Sequence, residues 1–167
     1  MIVTISDFKN EAAIPGLIVE VLATDYIGQS IRDNVQDFID KYEPKFLKMF
    51  FDSNEETAYT YADIVTYLAL EESERNDDIL DSYIESLKEP ISYYIAFYYF
   101  RNDISSRSVS GGETTSNSAN SKKSDANNRI VLLWNQMVSL ITDIVNDEEW
   151  YIIPDVEIFK RINPLNI

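Results

Sequence analysis

The chain has no cysteine and no histidine. Without cysteine there are no disulfides, thiolate nucleophiles or zinc–sulfur sites. Without histidine the commonest general base, the commonest metal ligand and the usual activator of a nucleophile are missing. Any catalysis would fall to carboxylates, lysine and tyrosine. Long apolar runs are lacking as well: no window approaches the ~18 uninterrupted apolar residues of a membrane span. The opening "MIVTISDFKNEAAIPG" has neither the basic start nor the apolar run of a signal peptide. A soluble, cytosolic chain is the expectation.

What is present suits one folded domain. The 167 residues are 45% apolar and 26% charged, enough for a single core and too few for two comfortable ones. The net charge is −15, unevenly placed. Residues 1–104 carry 21 acidic and 8 basic side chains, and residues 105–167 carry 8 and 6. So acidic a body repels phosphate backbones, which disfavours tight wrapping of nucleic acid. Plain solubility would account for the acidity equally well.

Helical periodicity dominates. Apolar residues at Ile31, Val35, Phe38, Ile39, Tyr42, Phe46 and Met49 or Phe50 step by three and four, the spacing of an amphipathic helix. Pro44 predicts a kink there, or a fresh helix with the proline in its first turn. "DSN" at 52–54 should stop it. A second helix is expected from near Glu55, with Tyr61, Ile64, Val65 and Leu68 on one side. Asn76 and Asp77 can cap a third, whose stripe runs through Ile79 or Leu80, Tyr83, Ile84, Leu87, Ile91, Tyr94, Ile95 and Tyr98. Pro90 should kink or divide it.

Residues 105–128 change character, with 16 of 24 positions Ser, Thr, Asn or Gly. A segment so polar reads as a long loop that makes assembly contacts rather than supporting the fold. Asn127 or Asn128 would then cap a fourth helix carrying Ile130, Val131, Trp134, Met137, Val138, Ile141, Ile144 and Val145. The tail "WYIIPDVEIFKRINPLNI" has two prolines and a β-branched alternation, so 148–167 reads as an extended arm. Residues 1–28 give no clear pattern.

Candidate sites are few. The stretch "EPISYYIAFYYFRND" continues the core stripe through Tyr94, Ile95 and Tyr98, while Tyr93, Phe97 and Phe100 fall on the opposite side. A helix apolar all round is buried all round, against its own domain or a neighbour. A base-stacking platform would need interleaved basic residues, and only Arg101 is near. Tyr93, Phe97 and Phe100 are therefore candidate interface residues. The arm residues Trp150, Tyr151, Ile152, Ile153 and Pro154 join them, as aromatic anchors expected to dock on a neighbouring subunit. "DSNEETAYTYAD" resembles a calcium loop at its first positions but has Thr57 in place of the turn glycine and Asp63 in place of the final glutamate. Asp77, Asp81 and Glu85 repeat every four residues, the pattern of a solvated face. "SVSGGE" lacks the lysine of a phosphate loop. No catalytic, cofactor-binding or metal-binding residues are expected, and no enzyme.

The run "FIDKYEPKFLKMFFD", the aromatic "ISYYIAFYYFRNDIS" and "RIVLLWNQMVSLI" resemble small helical proteins of phages and prophages of Bacteroides-type bacteria. Tyr42, Glu43, Pro44, Arg101 and Asn102 match their motifs, and Asp52 stands where they have glycine. In architecture these proteins are similar to the head–tail connector, or adaptor, family of tailed phages. That resemblance implies a virion structural protein in a closed cyclic ring of about twelve copies. Its partners would be the portal protein and tail-side ring proteins, with DNA passing without specific binding and no membrane contact. It would be made in the bacterial cytoplasm. A stand-alone acidic binding module, such as a DNA mimic or inhibitor, is the alternative. The expected fold is all-α: an N-terminal segment 1–28, a bundle of about four long helices over 29–147 (two with proline kinks, the loop 105–128 inserted), and the arm 148–167.

Overall fold

The computed structural model describes residues 1–17, 20, 22, 24–53, 58–109, 117–146 and 158–163. The described residues form four α-helices and three 3-10 turns, two ahead of the first helix and one (Glu72–Glu74) between the second and third, and no strand. Three helices are long: α1 (Tyr26–Phe51), α3 (Asp78–Val109) and α4 (Asn117–Asn146). The fourth, α2 (Tyr61–Leu68), has only eight residues. No helix among the described residues is long and apolar enough to cross a membrane.

The helices α1, α2 and α3 each start where a short polar side chain can satisfy the first free N–H groups. Asp25 Oδ1 accepts from Gly28 N at 2.9 Å to open α1. Thr60 and Asp63 form a reciprocal capping box at α2, and Asp77 Oδ1 accepts from Leu80 N at 3.0 Å at α3. α1 stops at Asp52, as expected, and Ser53 Oγ donates to the Phe50 carbonyl there. Pro44 and Pro90 do not divide their helices; each sits inside one continuous element. A proline in a helix interior costs about 3 kcal/mol. Beyond Pro44 the helix buries Phe46, Leu47, Phe50 and Phe51, each contributing roughly 1.5–3 kcal/mol, so packing wins.

α1 and α4 both run antiparallel to α3. Along α1, Phe38 meets Tyr99, Tyr42 stacks on Tyr98 at 4.3 Å and Phe46 meets Tyr94. Along α4, Trp134 lies 5.0 Å from Phe97, and the Arg129 guanidinium lies 4.1 Å from the Phe100 ring centre. The expected stripe of α4 is core through Ile130, Val131, Met137, Val138 and Ile141, with Leu133 added.

One expectation needs correcting, and one unassigned stretch finds its place. The segment 105–128 is not a loop over most of its length. α3 continues to Val109 and α4 begins at Asn117, ten residues before the expected caps. Extending a helix already nucleated and packed needs no new nucleus, so a run of weak helix formers can follow. Residues 1–14 of the N-terminal segment, patternless in sequence, contribute to the core. Its 3-10 turns (Ile5–Asp7 and Asn10–Ala12) place Ile2, Val3, Phe8, Ala12 and Ile14 against α1 and α3.

Candidate functional site

The opposite-face aromatics do not form a free surface. Tyr93 and Phe97 are buried at 2% and 5% exposure, inside this chain's own core. This corrects their expected place at an interface. The N-terminal segment supplies the cover: Tyr93 OH donates to Glu11 Oε2 at 2.8 Å. Burial, reinforced by that carboxylate, holds the Tyr93 phenol well above the usual tyrosine range. The same bond lowers the Glu11 carboxyl. Phe97 is covered by Trp134 from α4. Phe100 is half-buried, with Arg129 over its ring.

The described end of the tail lies on its own chain. Phe159 is buried at 4% exposure, with its ring 5.9 Å from Phe46 and 6.3 Å from Phe50. Trp134 Nε1 donates to the Lys160 carbonyl at 2.7 Å. Asn135 then brackets Ile162, donating to its carbonyl at 3.0 Å and accepting from its N–H at 2.8 Å. The strap 158–163 is thus held by adjacent α4 side chains that read its main chain. The arm was expected on a neighbour; this part of it docks in its own bundle, because an aromatic socket and two main-chain readers await it there. Trp150, Tyr151, Ile152, Ile153 and Pro154 lie outside the described residues.

The notable carboxylates hold the fold together. Glu43, 5% exposed, accepts from Ile2 N at 2.9 Å and Val3 N at 2.8 Å, tying the N-terminal segment to α1. Burial raises its pKa despite the two N–H groups. Asp52 and Asp63 of the calcium-like segment bond Tyr61 N and the Thr60 cap. Tyr67 OH accepts from Asp77 N. Among the described residues no three or more His, Cys, Asp or Glu side chains gather as a metal site requires.

Two surfaces remain. Residues 52–89 hold 12 acidic and 2 basic side chains, so most of the net charge sits around α2 and the start of α3. Leu70 and Ile79 lie there, 39% and 49% exposed. On α4 a surface groove of about 440 Å³ runs beside the strap, with Arg161 on one wall and Leu132, 51% exposed, at its edge. Sequence reasoning missed the groove because Arg161 reaches α4 only through the fold. The one signal was Leu132, which falls off the stripe of its helix. Compared with protein-family models, with curated proteins and with solved structures, the chain matches none.

Proposed function

We propose that this chain is a structural assembly subunit and, on the resemblance of its helical segments, a head–tail connector or adaptor in a phage virion. In that role about twelve copies form a cyclic ring between portal and tail. DNA slides past the acidic body without sticking, since like charge keeps phosphates off.

The observation that carries the reading is the exposure of large apolar side chains at separated places. Tyr26 and Ile27 at the start of α1 are 82% and 77% exposed, Leu22 ahead of it is 77% exposed, and Leu70, Ile79 and Leu132 add further points. Scattered single apolar residues are ordinary on a monomer. Several on different helices suit a subunit that meets a neighbour on each side. The half-buried Phe100, and Trp150 to Pro154 in the tail, remain proposed contacts with the portal and tail-side rings.

The test is the mass of the intact chain in native mass spectrometry and light scattering, over a wide concentration range and with co-expressed portal protein. A ring, or a complex with portal, is the expected result. The acidic region 52–89 favours a second reading, an acidic mimic of DNA. A stable monomer that displaces DNA from a basic protein would select it and sink the connector.

A further inference from the structure

The α4 groove has an unusual lining for so acidic a chain. Among the described residues, Asn128, Gln136, Ser139 and Arg161 supply neutral and cationic groups, Val131 and Leu132 supply apolar surface, and no carboxylate contributes. Arg161 is exposed and reaches Ser139 Oγ at 3.3 Å. The volume of about 440 Å³ falls in the range of ligand-receiving clefts, roughly 300–1,000 Å³.

The complementary chemistry is on the same molecule, at the junction of α2 and α3. Leu70 and Ile79 project there, beside the exposed carboxylates of Glu71, Asp78 and Asp81. The junction is fastened from within. Arg75 Nη2 donates to the Leu68 and Leu70 carbonyls at 3.0 and 3.3 Å, and Asp77 N donates to Tyr67 OH at 3.2 Å. A surface held in this way can enter a groove at little ordering cost.

We propose that the α4 groove receives the α2–α3 junction of a second copy of this chain. Leu70 and Ile79 enter against Val131 and Leu132, and Asp78 and Glu71 meet Arg161. Charge complementarity selects the occupant: a net-acidic edge with apolar knobs suits a groove whose one charged group among the described residues is the Arg161 cation. The joined surfaces differ, so the contact is heterologous and propagates until a ring closes. This rests on the assembly reading and names the contact that reading needs.

Three full-length samples test it by native mass spectrometry, with circular dichroism as the check on folding. Leu132→Asp spoils the groove and keeps the edge; Ile79→Asp spoils the edge and keeps the groove. Each alone should be monomeric with unchanged helix content. Their mixture should give a one-to-one pair, because one intact edge meets one intact groove. If either change unfolds the chain, charge exchange replaces it: Asp78→Lys and Arg161→Glu each weaken assembly, and both together in one chain restore it. Assembly untouched by the single changes, or a mixture that stays monomeric, overturns this contact while leaving the assembly reading standing. A wild-type chain monomeric at every concentration overturns both.

Discussion

Asn135 grips Ile162 by both of its main-chain groups, with the side-chain carbonyl taking the N–H at 2.8 Å and the amide giving to the carbonyl at 3.0 Å. One side chain thereby fixes the register of the strap on α4. Net hydrogen bonds of this kind contribute about 1 kcal/mol each, so Asn135→Ala should cost about 1–2 kcal/mol. Asn135→Asp is the sharper probe. It keeps an acceptor for the N–H but turns an oxygen toward the Ile162 carbonyl, and should cost at least as much. Faster amide exchange confined to 160–163 is the expected signature; unchanged exchange there would count against the strap.

The aromatic anchor of that strap sets a larger effect. Phe159 is buried against the rings of both Phe46 and Phe50, and removal of a buried phenylalanine to alanine costs roughly 3–5 kcal/mol. At 2–4 °C per kcal/mol for a chain of this size, Phe159→Ala should lower the melting temperature by about 6–20 °C. Phe159→Leu, which refills most of the space, should recover more than half. A melting curve that ignores both changes would place Phe159 outside the core.

The stripes of α1 and α4, the stop at Asp52 and the cap at Asp77 were legible because each is local. Periodicity and capping chemistry report on neighbours within a turn or two. The burial of Tyr93 and Phe97 was not legible. Tyr93 is covered from residues 1–14, which show no period, and Phe97 by Trp134 of another helix. Nothing in the local pattern marks Glu43, between Tyr42 and Pro44, for burial. Only the fold brings the Ile2 and Val3 N–H groups to it. The helical stretches on either side of 110–116 hid for another reason. Their Ser and Asn content records weak propensity, and propensity gives way where a packed helix can simply be extended. The strap's socket joins residues more than a hundred positions apart, a relationship no local pattern encodes.

Glu43 gives a pH prediction. Burial raises its folded pKa above the unfolded value of ~4.3, so the fold binds the proton more tightly than the unfolded chain does. Its contribution is therefore fully present below the unfolded pKa and is lost as the pH rises through the folded one. Glu43→Gln removes the titration and turns one donor toward the Ile2 and Val3 N–H groups, costing about 1–3 kcal/mol. The stability advantage of wild type over Glu43→Gln should shrink as the pH rises through the acid range above ~4.3. Denaturant titrations of both proteins at matched pH measure the difference directly. An advantage that grows with pH instead would mean that the two N–H bonds outweigh desolvation.

The last prediction concerns Arg129, which joins three parts of the molecule. Its Nη2 donates to the Ala13 carbonyl at 2.7 Å and the Glu11 carbonyl at 3.3 Å, while the guanidinium lies over the Phe100 ring. The N-terminal segment is thus pinned to the α3–α4 pair by a planar cation with two jobs. Lysine cannot do both, since its ammonium is a compact charge without the fork or the flat face. A charged hydrogen bond contributes about 1.5–3 kcal/mol and an exposed stack about 0.5–1. Arg129→Ala should therefore cost about 2–4 kcal/mol by these measures, and Arg129→Lys roughly half of that. Amide exchange should speed up at 11–14 in both variants, because the pinned carbonyls belong to that turn. Equal stability of the lysine variant and wild type would show that charge alone suffices, and that the stack on Phe100 adds nothing.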